Sequence, residues 1–452
     1  MPASPAELVL RRLNDGPAAA AELERLLGQS QSSVSRMLRD LVARREVIRF
    51  GARRGARYAR LRTLEGIGSQ WPLRQVDVEG NMRELGTLRA LAGSSWQFDA
   101  TARGFAWEGT TAGLPYFLQD QRPAGFLGRT APQRFPELQL PQRVMDWSDD
   151  HYLRYLTQRG SDTVGDLILG DAALDVYLAS LRRAPDVPAE ERARRYPQLA
   201  ADVMGGGYAG SSAHGEHPKF AVLLGGEGSP RHVLVKFSPP DTTPVGQRWS
   251  DLLVAEHLAQ AALAAAGLPA STSRVWQFAG RTFLEVDRFD RAGAAGRVGV
   301  SSLLAIDTAF YGRLDNWIDA AGRLHRDRRI DAATLETVRL VSTFGALIAN
   351  TDRHFGNLAF FDRYDGKFQL APVYDMLPML FAPEHDQLPE RRFAPPDPTS
   401  ETLRAYARAR ALAEGYWRTC SQDARISPDF QRICAAGAAS LDALPRTGAF
   451  GG

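Results

Sequence analysis

Two separated stretches carry residues whose types and spacing suit phosphoryl transfer. In Asn350-Thr351-Asp352-Arg353-His354-Phe355-Gly356-Asn357, an aspartate and an asparagine stand five apart. Transfer to a hydroxyl needs a carboxylate to orient the attacking oxygen and a further oxygen ligand for Mg²⁺. D-x-x-x-x-N is the spacing of a kinase catalytic loop. Alone it is a weak signal, because Asp and Asn also populate turns. The next segment strengthens it. Leu358 to Phe361 reads as a strand, Asp362 to Gly366 as a turn and Lys367 to Leu370 as the returning strand. The residues flanking an antiparallel hairpin lie at one end of it. Asn357 and Asp375 flank this one, so an amide oxygen and a carboxylate come together, a pairing suited to a hard cation such as Mg²⁺.

The second stretch lies upstream. Only three of the 55 basic residues are lysine: Lys219, Lys236 and Lys367. A chain that writes its cations as arginine keeps lysine where a compact point charge serves and a wide guanidinium does not. Lys236 sits in the apolar strand His232-Val233-Leu234-Val235-Lys236-Phe237. A kinase places a lysine here to hold the α- and β-phosphates. Twenty residues on, Glu256 falls mid-helix and is its natural partner. The plainer readings are a snorkelling strand cation for Lys236 and a solvated helix face for Glu256. The glycine-rich segment Gly205 to Lys219 reads as a loop whose backbone N–H groups could cover phosphates, although most such segments are ordinary loops.

These residues need elements to hold them. A helix over Trp249 to Ala266, closed by Gly267 and Pro269, would carry Glu256. A long helix, Ala332 to Ile348, runs into the Asp352 loop. Strands at Phe220 to Leu224, His232 to Phe237 and 281–288 precede a mainly helical stretch to about 445. A β-rich half followed by a helical half outlines a bilobal, kinase-like domain. Residues 63–150 read as mostly β and 151–200 as helical. The expected domains are 1–62, 63–200, 201–298 and 299–445, with 446–452 a flexible tail.

Residues 1–62 read as a winged helix-turn-helix. Helices at Ala6 to Leu13, Ala20 to Leu27 and Ser30 to Arg44 are followed by a wing from Val47 to Leu61. The third helix presents Gln31, Ser32, Ser33, Ser35 and Arg36, polar side chains suited to base edges and phosphates. Arg53, Arg54 and Arg57 on the wing would reach the phosphate backbone. This segment has 13 Arg against 6 Asp and Glu, a net +7 in a chain of +3, so the basic character is local and marks where a polyanion would bind. A basic trihelical dimerisation module is the competing reading. No apolar run reaches the ~18 residues that span a membrane. Two cysteines, Cys420 and Cys434, make no disulfide framework. A cytoplasmic location is expected.

In combination, S-S-x-x-G-x-x-P-K, L-V-K-F, E-V-D-R-F-D-R, N-T-D-R-H-x-x-N and P-V-Y-D-M resemble the HipA family of toxin kinases, in family order between 201 and 380. The fused N-terminal domain resembles the YjjJ-type branch. The resemblance implies an α+β fold, a HipA-like bilobal domain after a winged helix-turn-helix. It implies ATP, Mg²⁺ and transfer to Ser or Thr of a protein substrate, with components of translation as candidates. It implies a toxin–antitoxin-like system with a separate antitoxin as a candidate partner. By position Asp352 is the catalytic base, Asn357 and Asp375 the metal ligands and Lys236 the phosphate ligand. His354 lies near the phosphates, Asp287 to Phe289 form the adenine hinge, and Asp290 lies close to the ribose. Ser212, with Ala213, His214 and Gly215, falls in the phosphate loop at the autophosphorylated serine, Ser211 being the competing acceptor. His214 and His217 depart from the family loop. They read as loop polarity, with a metal pair as the alternative. Two other functions compete: a DNA-binding regulator whose kinase domain only senses ATP, and a Mg²⁺-dependent nuclease. A nuclease would need neither the Lys236 strand nor the glycine-rich loop.

Overall fold

The computed structural model describes residues 3–51, 55–123, 130–205, 217–226, 230–384 and 386–444. The chain begins with three helices, Pro5–Asn14, Ala20–Leu27 and Gln31–Ala43. Each start has a local cause. Ser4 and Glu7 form a capping box on the first helix, and the Ser30 hydroxyl accepts from the Ser33 N–H at the third. Gly28 closes the second helix in the left-handed conformation, at φ 62°. Val9, Leu13, Leu23, Val34, Leu38, Leu41 and Val47 fill their shared core. Strand Arg57–Ala59 pairs with Ile48–Phe50 and, on its other side, with Ala18–Ala19. This third strand is only two residues long, too short for a period-2 pattern to show.

A five-stranded sheet follows, in the order Gly109–Thr111, Ser95–Ala100, Met82–Leu91, Gln70–Val76, Leu167–Leu169. The last strand comes from the stretch expected to be helical. Its Leu-Ile-Leu run is buried throughout, and a short all-apolar run cannot be told from a buried helical turn by periodicity. Helices Asp149–Arg159, Asp171–Ser180 and Arg192–Gly205 occupy most of the remainder to 205.

The lobe that holds Lys236 is built on a second five-stranded sheet, ordered Ser273–Phe278, Arg281–Asp287, Arg231–Phe237, Lys219–Gly225, Val187–Pro188. Alternation sorts its side chains. Val233, Val235 and Phe237 turn to one face, where Phe220, Phe283, Tyr196 and Ala200 cover them. Lys236 turns to the other face, opposite Leu284 on one side and Lys219 on the other. That face is covered by the helix Pro244–Ala265, through Leu253 on Leu284 and Val286. The helix starts five residues before the expected position, because the Thr243 hydroxyl accepts from the Gly246 N–H and Pro244 suits the first turn.

The last lobe is mainly helical. Helices Trp317–Arg326, Ala332–Leu347, Leu403–Gln422 and Pro428–Asp442 pack around Trp317, Phe344, Trp417 and Phe430. Strands Val300–Ser302, Ala359–Asp362 and Phe368–Leu370 form a small antiparallel sheet beside them.

This sheet meets the 63–200 region, the middle domain, through two buried carboxylates, Asp166 and Asp362, each 2 % exposed. The Tyr364 hydroxyl donates to Asp166 at 2.6 Å, and its N–H donates to Asp362 at 2.7 Å. Gln75 completes the first site, and Ser301 and Tyr116 complete the second. Burial pushes both carboxyls up to about 6, outweighing their hydrogen bonds. A carboxyl raised in the fold contributes stability that is full below its unfolded pKa, near 4, and is lost as pH rises through about 6. Asp362→Asn stays neutral at every pH. Its urea midpoint should therefore fall less between pH 5 and pH 8 than that of the wild type, by about 1–3 kcal/mol of relative stability. Parallel pH profiles for the two proteins would show that the pair does not titrate in this range.

Candidate active site

The helix Ala332–Leu347 starts at Asp331, whose carboxylate accepts from the Thr334 N–H at 2.7 Å. Two residues past its end Ala349, a non-glycine residue at φ 59°, turns the chain into the 350–357 loop. Arg353 anchors this loop back onto the helix. Its guanidinium donates to the carbonyls of Asn350 and Ser342, both at 3.0 Å. Gly345 makes room for it, since a Cβ there would lie 2.7 Å from Arg353 Cδ. Trp317 holds the far side, donating from its indole N–H to the His354 carbonyl at 3.0 Å.

Asp352 is thereby presented half-exposed, with His354 Nε2 at 3.8 Å. Asn357 donates to the Asp352 carbonyl at 2.9 Å and toward its carboxylate at 3.4 Å. With the amide N–H₂ committed there, the Asn357 side-chain oxygen remains an acceptor. Partial burial and the negative charge of Asp375 raise the Asp352 carboxyl above its ordinary value, against the pull of His354.

The Lys236 ammonium is buried, 6 % exposed, and donates to both Glu256 oxygens at 2.8 Å. It also donates to Asp375. Asp375 lies at φ 53°, a left-handed conformation that aspartate tolerates better than most residues. Burial would raise the Asp375 carboxyl, but Lys236 next to it brings it down to about 2. Burial pushes Glu256 the other way, up, because one ammonium is shared between two desolvated carboxylates. The same carboxylates raise Lys236 despite its burial. The hairpin ends also meet: the hydroxyl of Tyr374, beside Asp375, donates to the carbonyl of Gly356, beside Asn357, at 2.6 Å. The Asp375 carboxylate and the Asn357 amide oxygen are a fitting donor pair for a hard cation. Among the described residues there is no cluster of three or more His, Cys, Asp or Glu that could hold a metal ion.

Other expected residues stand elsewhere. Phe289 packs on Tyr374 and Phe361, with ring centroids 5.8 and 6.0 Å away. The Asp287 carboxylate pairs with Arg231 and, at 3.5 Å, with Arg274. Asp290 is engaged within the protein. It is 5 % exposed and is taken up by Arg288, Arg291 and the Gly165 N–H, at 2.9, 2.7 and 3.0 Å. Both arginines reach on to Asp162 at 2.9 Å. This D-R-F-D-R stretch is therefore bolted to the 162–165 segment. Ser212, Ala213, His214 and Gly215 lie outside the described residues, as do Arg53 and Arg54. Gln31, Ser32, Ser33, Ser35 and Arg36 are exposed on their helix. Arg57 is exposed too, its guanidinium 3.5 Å from the Pro17 carbonyl.

The family model described as "HipA-like C-terminal domain" matches residues 211–439, and that described as "YjjJ-like toxin, middle domain" matches residues 67–178. Toxin YjjJ of Escherichia coli (strain K12) is 36 % identical over 429 residues, covering 93 % of this chain and 94 % of that protein. The chain belongs to the YjjJ-like branch of the HipA toxin family. A solved HipA, from the toxin–antitoxin system of Shewanella oneidensis MR-1 in complex with HipB and operator DNA, aligns with a TM-score of 0.54 at 15 % identity. The alignment covers 82 % of this chain and 95 % of that one. The likeness shows the HipA-like α+β fold.

Within this HipA-type site, Asn350 is a residue that sequence reasoning quoted without assigning a role. It is 2 % exposed. Its side-chain oxygen accepts from the Asp352 N–H at 2.9 Å, and its amide donates to the Asp375 carbonyl at 3.3 Å. One side chain thus joins the backbones of both acidic residues. Its place at the head of N-T-D-R-H was the available signal. Asn350→Ala leaves the Asp352 N–H without its partner. It should lower stability by about 1–3 kcal/mol in urea unfolding. An unchanged midpoint would remove this clamp from the account.

Proposed function

We propose that this protein is an ATP- and Mg²⁺-dependent Ser/Thr protein kinase, the toxin of a type II toxin–antitoxin-like system, with its own DNA-binding domain. The observation that carries the reading is the buried Lys236 held by Glu256 and Asp375 in the same site as Asp352 and Asn357. Lys236 would hold the α- and β-phosphates, with His354 close to the phosphates. The Asp375 carboxylate and the free Asn357 oxygen would hold Mg²⁺, which supplies charge neutralisation at the phosphates. Asp352 would orient the substrate hydroxyl and take its proton. A bond forms from that oxygen to the γ-phosphorus, and the bond to the bridging oxygen breaks to release ADP. The raised pKa of Asp352 suits a proton acceptor better than an ordinary carboxylate. The Asp287 to Phe289 segment would line the adenine site, and Ser212 would be the self-modified residue of the covering loop. A separate antitoxin is a candidate partner, as HipB is for the Shewanella protein.

Incubation of the purified protein with labelled Mg-ATP and cell lysate tests the chemistry. Asp352→Asn should reduce label transfer about 10²–10⁴-fold and abolish growth inhibition on overexpression. A variant that labels and inhibits like the wild type would overturn the reading.

The DNA reading rests on the +7 charge of residues 1–62 and on the exposed polar face of helix Gln31–Ala43. Affinity for duplex DNA should fall steeply between 50 and 200 mM salt, by roughly 10³-fold or more if about six phosphates are contacted. Changes at Ser32 or Ser33 should alter sequence preference, and loss of Arg53 and Arg54 should weaken binding uniformly. Equal DNA binding by a protein lacking residues 1–62 would refute the assignment.

A further inference from the structure

Of the three lysines that this arginine-rich chain retains, Lys236 is in the site and Lys367 donates to the Arg328 carbonyl beside its own turn. Lys219 has no role so far. Strand pairing places it directly across the ladder from Lys236. The Phe237 N–H donates to the Pro218 carbonyl at 3.1 Å, which fixes the register at that end of the sheet. Directly opposite residues of antiparallel strands have Cβ atoms about 4.5–5.5 Å apart and point to one face. The next pair along, Phe220 and Val235, turns into the core on the other face. Lys219 therefore shares the face on which Lys236 meets Glu256 and Asp375. It is half-buried where Lys236 is 6 % exposed, so it is the more open of the two.

Like charges set directly opposite one another destabilise a sheet. The carboxylates of the site already have a cation, since Lys236 donates to both Glu256 oxygens and to Asp375. A second ammonium across the ladder suits a ligand that packs several negative charges into a short length. A triphosphate is such a ligand. An ammonium, with three donors that rotate about a compact charge, can follow its oxygens where a rigid guanidinium fork cannot. The glycine-rich segment read as covering the phosphates, Gly205 to Lys219, ends on this same residue. We infer that Lys219 is a second phosphate-binding cation, its ammonium contacting the phosphoryl oxygens of a bound nucleoside triphosphate beside that of Lys236. The inference rests on the nucleotide-binding reading and extends it to a residue for which that reading has no role. In keeping with it, the charge of Lys219 already reaches the site, where it helps Lys236 to lower the Asp375 carboxyl.

The two ideas fail separately. Calorimetry with Mg-ATP on the wild type tests the parent reading, and absence of binding would remove both. Given binding, Lys219→Met keeps the length of the side chain and removes its charge. Its Mg-ATP dissociation constant should rise about tenfold, the worth of one hydrogen bond to a charged group. The melting temperature of the ligand-free protein should stay close to that of the wild type. An affinity within threefold of the wild type, whatever the melting temperature, overturns the inference and leaves the parent reading standing. If affinity and melting temperature both fall, the wild type decides. Lys219 is then labelled with an amine-reactive acylating reagent, with and without saturating Mg-ATP, and its peptide is followed by mass spectrometry. Labelling slowed severalfold by Mg-ATP sustains the contact, and an unchanged rate rejects it.

Discussion

The ammonium of Lys236, withdrawn from water and shared between Glu256 and Asp375, is the constraint around which the catalytic half of the molecule is arranged. Each partner comes from a different element: a sheet strand, the covering helix and the turn after the C-lobe hairpin. Desolvating Lys236 and Glu256 is costly, and removing one member of such a buried pair typically costs about 3–5 kcal/mol. Sheet, helix and turn are therefore obliged to keep their mutual positions. A second polar tie supports the first. Asp251, one turn before Glu256 and 1 % exposed, accepts from the N–H and hydroxyl of Ser427, both at 2.7 Å, at the start of the last helix. The Glu256-bearing helix is thus fastened to the helical lobe as well as to the sheet.

The other junctions use the same kind of bond. Asp162, Arg288, Asp290 and Arg291 join the middle domain to the stretch after strand Arg281–Asp287, while Asp166, Tyr364 and Asp362 join it to the hairpin. Glu285, fully buried, gathers Arg192, Tyr196 and Arg231 across the back of the sheet. Polar ties of this sort are directional, so they specify one relative placement of the lobes where an apolar seam would tolerate sliding.

What the amino-acid order disclosed follows from how local each signal is. Lysine scarcity pointed to Lys236, which is the buried site residue, but gave Lys367 equal weight. Lys367 merely donates to the Arg328 carbonyl beside its own turn. The hairpin argument needed only neighbouring residues, and Tyr374 on Gly356 does join its two ends. The ion-pair cluster around Asp290 was not legible because its members are divided. Arg288 and Arg291 are adjacent in sequence, but Asp162 and Gly165 lie more than a hundred residues away, and no pattern along the chain announces such a meeting. The Leu167–Leu169 strand was missed for want of length, and Asn350 for want of any distinctive spacing.

The segment joining the three N-terminal helices to the rest is not a tether. Arg62 donates from its backbone to Ala90, and Ala92 donates to Arg60, so the connection is pinned by a bridge between Leu61 and Leu91 at the end of strand Met82–Leu91. The Arg62 side chain lies over Trp96, 5.3 Å from the ring centroid, and reaches Asp150 at 2.9 Å. Gly93, at the tip of the next turn, presses against the backbone of Asp15 and Gly16. A pull or twist applied to the N-terminal helices would therefore be felt as shear in the middle sheet. From there it would pass through Asp162 to Arg288 and Arg291, with no slack length of chain to absorb it.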